Sequence, residues 1–387
     1  VTEISGPNEI NRRDFIRATA LGVGYCLWGN PFAGECVFGP AMASAQEESR
    51  LKFHPAQYYK KLEDLEIECQ LCPRKCVVGE RERGYCGVRE NKGGEYFTLV
   101  YGNPCSANID PIEKKPFFHF LPGAQAFSIA TAGCNLNCKF CQNWQISQFR
   151  PEQIRSLDYS ADEVAAMAAN YGCRAIAYTY SEPTVFYEYM LDCARAGSER
   201  NIKSVMVSAG FISAEPMKNL LPHLAAVKID LKSFSQKYYE DICSGELQPV
   251  LDTLTLLSKS GIWYEIVYLM LPTLNDDPKE LGRLCRWIKS ELGPDVPIHF
   301  TRFHPEYLLK SLPSTPVASL ERGYDIAKAE GLHFPYIGNV PGHKGENTFC
   351  PGCGAELIVR RGFQVSPKSM KDGRCEKCGY RLPGVWA

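Results

Sequence analysis

The stretch CNLNCKFCQNWQ, residues 134–145, places three cysteines within eight residues and offers no fourth nearby. A structural zinc site takes four ligands, and an ordinary iron–sulfur cubane takes four thiolates. Three thiolates leave one coordination position open, which is what separates a catalytic metal centre from a closed structural one. The other reading is a zinc site completed by a residue from elsewhere in the chain. The loop also constrains the fold. It follows FSIATAG, a strand-like run, and leads toward a helix, so it stands at the carboxyl end of a strand in an α/β chain.

From residue 124 onward that alternation repeats. AIAYTYS (175–181), SVMVSAG (204–210), AVKIDLK (226–232), WYEIVYLM (263–270), PIHFTRF (297–303) and FPYIGN (334–339) are short, apolar and β-rich. Helical segments separate them. In SADEVAAMAANYG, Ser160 and Glu163 form a capping box; in NDDPKELGRLCRWIKSEL, Asp277 caps, Pro278 suits the first turn and Glu280 closes the box. Strand–helix alternation predicts a parallel sheet with right-handed crossovers, closed or partly closed as a β/α barrel. Chemistry then collects at the carboxyl ends of the strands. Cys134, Ser181, Glu182, Ser208, Asp230, Lys232 and His304 all fall there, so residues far apart in sequence are expected at one mouth. An Asp–Lys pair two apart on a strand shares one face and is equally readable as a barrel-interior ion pair. His304 is equally readable as a surface or capping histidine.

The spacing Cys134-x3-Cys138-x2-Cys141, with Phe140 before the last cysteine, resembles the signature of the radical S-adenosylmethionine (SAM) superfamily. With CQNWQIS and the upstream DPIEKKPFFHFLPG it is similar to the pyruvate formate-lyase-activating-enzyme-like branch, and more narrowly to the radical SAM component of the AmmeMemoRadiSam system, over about residues 65–387. The resemblance implies a partial (β/α)6-type barrel and a 4Fe–4S cluster on Cys134, Cys138 and Cys141. The SAM amino and carboxylate groups chelate the open iron, and reductive cleavage releases a 5′-deoxyadenosyl radical that abstracts hydrogen. Residue by residue, Glu182 in YSEPT stands where the family's GGE motif meets the SAM amino group, although both glycines are gone. Ser208 is a polar candidate in place of a Thr-Asn-Gly-like turn. Lys232 would pair with the SAM carboxylate, Asp230 would order nearby polar groups or a cation, and His304 in RFHP would meet the ribose. The implied partners are a ferredoxin or flavodoxin-type electron donor and Memo-like and AMMECR-like proteins. Two other functions stay open: a glycyl-radical-enzyme activase acting on a partner protein, and a non-catalytic iron–sulfur or zinc scaffold.

Of the chain's 18 cysteines, most fall in clusters spaced like metal ligands rather than a disulfide framework. Cys69-x2-Cys72-x3-Cys76-x9-Cys86 supplies four thiolates for zinc or an auxiliary cluster, in a Gly-rich segment (47–123) that ends in a Pro-punctuated connector, 101–123. Cys350 and Cys353 pair with Cys375 and Cys378 across 21 residues as a zinc-ribbon or rubredoxin-like module (341–387) holding zinc or iron. Cys26, Cys36, Cys105, Cys173, Cys193, Cys243 and Cys285 are scattered and read as small buried apolar residues. Residues 1–46 resemble a twin-arginine leader, with Arg12-Arg13, Phe15 and a small-residue site at Ala43-Ser44-Ala45. Glu35 and several glycines interrupt its apolar stretch, and SAM and low-potential donors are cytoplasmic, so the expected location is the cytoplasm, with export left open. With 43 basic and 44 acidic residues and no basic tract, nothing suggests a nucleic-acid partner. No run is long and apolar enough to predict a membrane span.

Overall fold

The computed structural model describes residues 51–387; the leader-like stretch lies outside the described residues. Eight strands form the central sheet, in the order in which they occur along the chain. They are β1 (Ser106–Pro111), β2 (Gln125–Ala130), β3 (Ala175–Tyr178), β4 (Lys203–Ser208), β5 (Ala226–Asp230), β6 (Trp263–Met270), β7 (Ile298–Arg302) and β8 (Pro335–Gly338). Strands β2 to β8 are parallel. Strand β3 is buried at every residue, as a parallel strand covered on both faces should be. This is the α/β barrel architecture expected from the alternation.

Strand β1 is a difference from the sequence reading, which took 101–123 as a connector. It pairs antiparallel with β2, Ser106 opposite Ala130 and Pro111 opposite Gln125. A proline is tolerated there because β1 is an edge strand and its ladder is one-sided. Beyond it the connector turns inward. Phe117 and Phe120 are fully buried and pack with Ala126, Ala175, Val205 and Ala226, which lie in the amino-terminal halves of the parallel strands. The floor of the barrel is therefore closed by the Phe-rich segment.

The helix Ala161–Asn170 begins with the expected box: Glu163 N donates to Ser160 Oγ and Ser160 N to Glu163 Oε2. The helix Pro278–Trp287 fulfils only half of its own. Asp277 accepts from Glu280 N, at 3.0 Å. The Glu280 carboxylate instead turns inward, accepting from Ser233 Oγ at 2.6 Å and Phe234 N at 3.0 Å. Two buried donors after β5 outcompete one exposed backbone N–H at the helix start.

The segment before β1 is built from short strands, with Ile67–Cys69 between Tyr59–Lys61 and Val77–Val78, and Arg89–Lys92 beside Glu95–Thr98. The segment after β8 is an antiparallel ribbon, Glu356–Arg361 against Gln364–Pro367. Its core is shared with the barrel floor, since Cys350, Leu357, Cys375 and Leu382 pack with Phe118, Phe334 and Tyr336. Buried Arg360 donates to the Phe118 carbonyl across the same seam, at 2.8 Å.

Candidate active site

Strand β2 delivers the cysteine loop through Gly133, whose φ of +93° suits glycine alone. A Cβ there would lie 2.5 Å from Val88 Cγ1 and 2.8 Å from the Cys86 carbonyl oxygen. The loop is then held from every side. Asn137 N donates to the Cys243 carbonyl, Lys139 N to that of Ile242, and Leu308 N to that of Lys139, each at 2.9 Å. Asn135 Nδ2 donates to the Phe211 carbonyl at 2.7 Å.

Burial pushes the Cys134 and Cys141 thiols up, so without a cation they stay neutral. Cys138 moves down instead: its contact with the Cys243 thiol outweighs burial, and the Lys232 ammonium adds to it. Cys243 was grouped with the scattered apolar cysteines. It is indeed fully buried, but its thiol meets a ligand candidate.

The strand-end residues converge as expected, with one exception. Glu182 is buried after β3. Its Oε1 accepts from Thr184 N, Thr184 Oγ1 and Ser208 Oγ, and its Oε2 from Ala209 N. Two of these four donors, Ser208 Oγ and Ala209 N, tie the end of β3 to that of β4, and Oε2 keeps one free lone pair. On β5, Asp230 binds both Lys228 and Lys232, the latter at 3.1 Å. Burial works against its ionisation, yet the two ammonium groups hold the carboxyl down at about 2. Lys228 escaped the sequence reading, although Lys228-x-Asp230-x-Lys232 carries the alternation of one strand face. His304 is the exception. It lies exposed after β7, its Nδ1 3.4 Å from Ser314 Oγ, and it meets none of the other candidates.

Below the loop runs a further polar layer that sequence reasoning missed. Asp110 on β1 accepts from Lys114 at 2.7 Å, from Lys115 at 2.5 Å, and from the Tyr180 hydroxyl. Burial pushes Lys115 down to about 8. A cavity of about 420 Å³ opens here between β1, the loop and Tyr180. Asn143, two residues past Cys141, donates to the Tyr180 carbonyl at 2.9 Å.

The donor set fits an open-site cluster with an amino-acid ligand. The thiols lie among side chains that include an acid, Glu182, and a base, Lys232, and the buried Ser181 Oγ and Trp144 Nε1 have no partner in the protein. The flanking cysteines form two more sets. Burial pushes Cys72 up to about 12 and Cys86 up to about 11. In the C-terminal set the Cys350 and Cys378 sulfurs are 3.5 Å apart, and those of Cys353 and Cys375 are 3.7 Å apart. A tetrahedral ion with bonds of about 2.3 Å spaces its sulfurs at about 3.8 Å, so this set fits one metal ion.

The family model that matches, over residues 128–285, is that of the radical SAM superfamily. The chain belongs to this superfamily; it is an enzyme whose cofactors are a 4Fe–4S cluster and SAM. It is 44% identical to an uncharacterized protein of Methanocaldococcus jannaschii over 329 residues, 84% of this chain and 98% of that one. It is 23% identical to the pyruvate formate-lyase-activating enzyme of Listeria monocytogenes over 182 residues, 44% of this chain and 71% of that one. Among solved structures, a radical SAM methyltransferase from Sphaerobacter thermophilus superposes with a TM-score of 0.45 at 14% identity, over 80% of this chain and 86% of that one. No helix among the described residues is long and apolar enough to cross a membrane.

Proposed function

We propose that Cys134, Cys138 and Cys141 hold the 4Fe–4S cluster and that the protein cleaves SAM reductively, in a system of the AmmeMemoRadiSam type. One observation carries this reading. Glu182, fixed by Ser208 and Ala209, and Lys232, fixed by Asp230, both act on the Cys138 thiol, so a carboxylate and an ammonium stand near the loop. That pair is complementary to the ammonium and carboxylate of a zwitterionic amino acid. The free lone pair of Glu182 Oε2 receives the ammonium. Lys232 spends one N–H on Asp230 and turns its remaining donors to the carboxylate. Asp230, held ionised, keeps Lys232 charged and fixes its direction; Ser208 orients Glu182. When bound, the cluster supplies the one electron that breaks the SAM C–S bond to give a 5′-deoxyadenosyl radical, which takes hydrogen from the substrate. That substrate is a small molecule or a partner-bound group, handled with Memo-like and AMMECR-like proteins and a ferredoxin or flavodoxin-type donor. The cytoplasm, where SAM and such donors are made, is the working compartment.

The activase reading draws on the Listeria relative, but that similarity spans 44% of this chain. Activases of this branch are short or insert ferredoxin-type cysteine sets within the barrel, whereas this chain carries its extra cysteines at both ends.

Lys232→Ala is expected to weaken SAM binding by tenfold or more while thermal stability stays near wild type, since a charge-assisted hydrogen bond is worth about 1.5–3 kcal/mol. Equilibrium binding and a thermal melt check this together. Unchanged affinity with a large stability loss would assign Lys232 to the barrel's ion-pair network alone.

A further inference from the structure

The four N-terminal cysteines are not drawn together as tightly as the C-terminal four. Among the described residues, Cys350, Cys353, Cys375 and Cys378 are the one set of potential ligands whose donor atoms all lie within 4.8 Å of one another. No three of Cys69, Cys72, Cys76 and Cys86 draw that close, and neither do the three thiols of the loop. A single tetrahedral ion needs sulfurs about 3.8 Å apart. In a cubane each thiolate binds a different iron, so the sulfurs stand further apart. On spacing, the N-terminal set groups with the loop and not with the C-terminal module.

The surroundings fit the same group. Tyr96 Oη and Arg89 Nε are buried donors that meet no nitrogen or oxygen acceptor in the protein. Against the burial that raises them, the Arg89 charge lowers the Cys69 and Cys86 thiols, and Tyr96 bonds to the Cys69 thiol, so both side chains stand beside the set. At Gly84 a Cβ would come within 2.8 Å of Tyr96 Oη and 3.8 Å of Cys76 Sγ, so the nest is closed by a residue without a side chain. A buried donor left unsatisfied is costly, and bridging sulfides are acceptors that would satisfy these two.

The set also abuts the active-site loop. The Cys86 carbonyl oxygen lies against Gly133, Arg74 Nε donates to the Asn135 carbonyl at 2.6 Å, and Arg74 reaches the Ser244 carbonyl, beside Cys243.

The geometry points to an iron–sulfur cubane, not a zinc ion, held by Cys69, Cys72, Cys76 and Cys86, with Tyr96 Oη and Arg89 Nε donating to its sulfurs. Such a group supplies a one-electron redox centre packed against the loop that needs one. The inference rests on these thiols and not on the SAM reading.

The test uses the full chain reconstituted anaerobically, with Cys134, Cys138 and Cys141 all replaced by alanine. Metal analysis should find about four irons and four sulfides per chain, and electron paramagnetic resonance after reduction should show a signal indifferent to added SAM. Absence of iron and sulfide, with or without a second zinc, overturns the proposal. Should that variant not fold, the wild type decides: about eight irons and two signals support it, and about four irons sink it. A failure of the SAM reading would look different, since the wild type would then keep both signals and neither would respond to SAM. Tyr96→Phe should retain iron and lower the reduction potential of the SAM-indifferent signal, because a lost hydrogen bond to sulfur destabilises the more negative, reduced state; an unchanged potential removes Tyr96 from the site.

Discussion

Replacing Cys134, Cys138 and Cys141 together by alanine should abolish 5′-deoxyadenosine formation while the barrel still folds. The loop's backbone bonds to Cys243, Ile242 and Ile146, and the Asn135 side-chain bond to Phe211, do not depend on the thiols. Alanine at these positions therefore removes metal ligands and leaves the hydrogen bonds that fix the loop. On the proposed assignment the thiolates are what would hold iron near Glu182 and Lys232, so their loss would remove the electron source for SAM cleavage. The measurement is product yield from anaerobically reconstituted, reduced protein, with circular dichroism to check the fold. Product from the triple variant would place the chemistry somewhere other than this loop.

The second large effect concerns stability. Arg89 and Glu188 form a two-point ion pair at 2.9 and 2.7 Å, with both side chains 1% exposed. Glu188 also accepts from Gln57 N at 2.7 Å, and Arg89 donates to the Gln57 carbonyl at 3.1 Å. The pair thus fastens the N-terminal segment to the helix Tyr187–Glu199. Glu188→Leu would strand a buried guanidinium, and breaking one half of such a pair costs about 3–5 kcal/mol. Urea denaturation should show that loss as a lowered midpoint at unchanged slope. An apolar pair of similar volume avoids the stranded charge, so adding Arg89→Met should recover part of it, short of the bonds Arg89 makes to the Gln57 carbonyl and to the N-terminal cysteine site. A single variant within about 1 kcal/mol of wild type would mean that water reaches the guanidinium, contrary to its burial.

These two effects differ in how far the sequence announces them. The cysteine loop, the parallel strands and the Ser160 cap are legible because their signals are local: fixed spacing, unbroken apolar runs such as AIAY, and a box closed within three residues. The strand-end convergence of Glu182, Ser208, Asp230 and Lys232 is legible through topology, since parallel strands bring their carboxyl ends to one rim. What escaped is set by contacts between distant residues. Nothing around Cys243 marks it as a neighbour of Cys138, and nothing in RENK marks Arg89 as the partner of Glu188. Strand β1 was obscured by its Asn and Pro residues, which an edge strand tolerates and a central one would not. Glu280 matched a capping template, but burial directed its carboxylate to the turn after β5. His304 matched a motif by position, and the fold leaves it at the surface.

SAM is proposed to bind an open iron on the three-cysteine loop through its amino and carboxylate groups. Electron–nuclear double resonance on the reduced protein, with SAM carrying ¹⁵N in its amino group and ¹⁷O in its carboxylate, tests that contact directly. The account predicts hyperfine coupling of both nuclei to the cluster that responds to SAM. Absence of both couplings, with SAM bound at saturation, would contradict it.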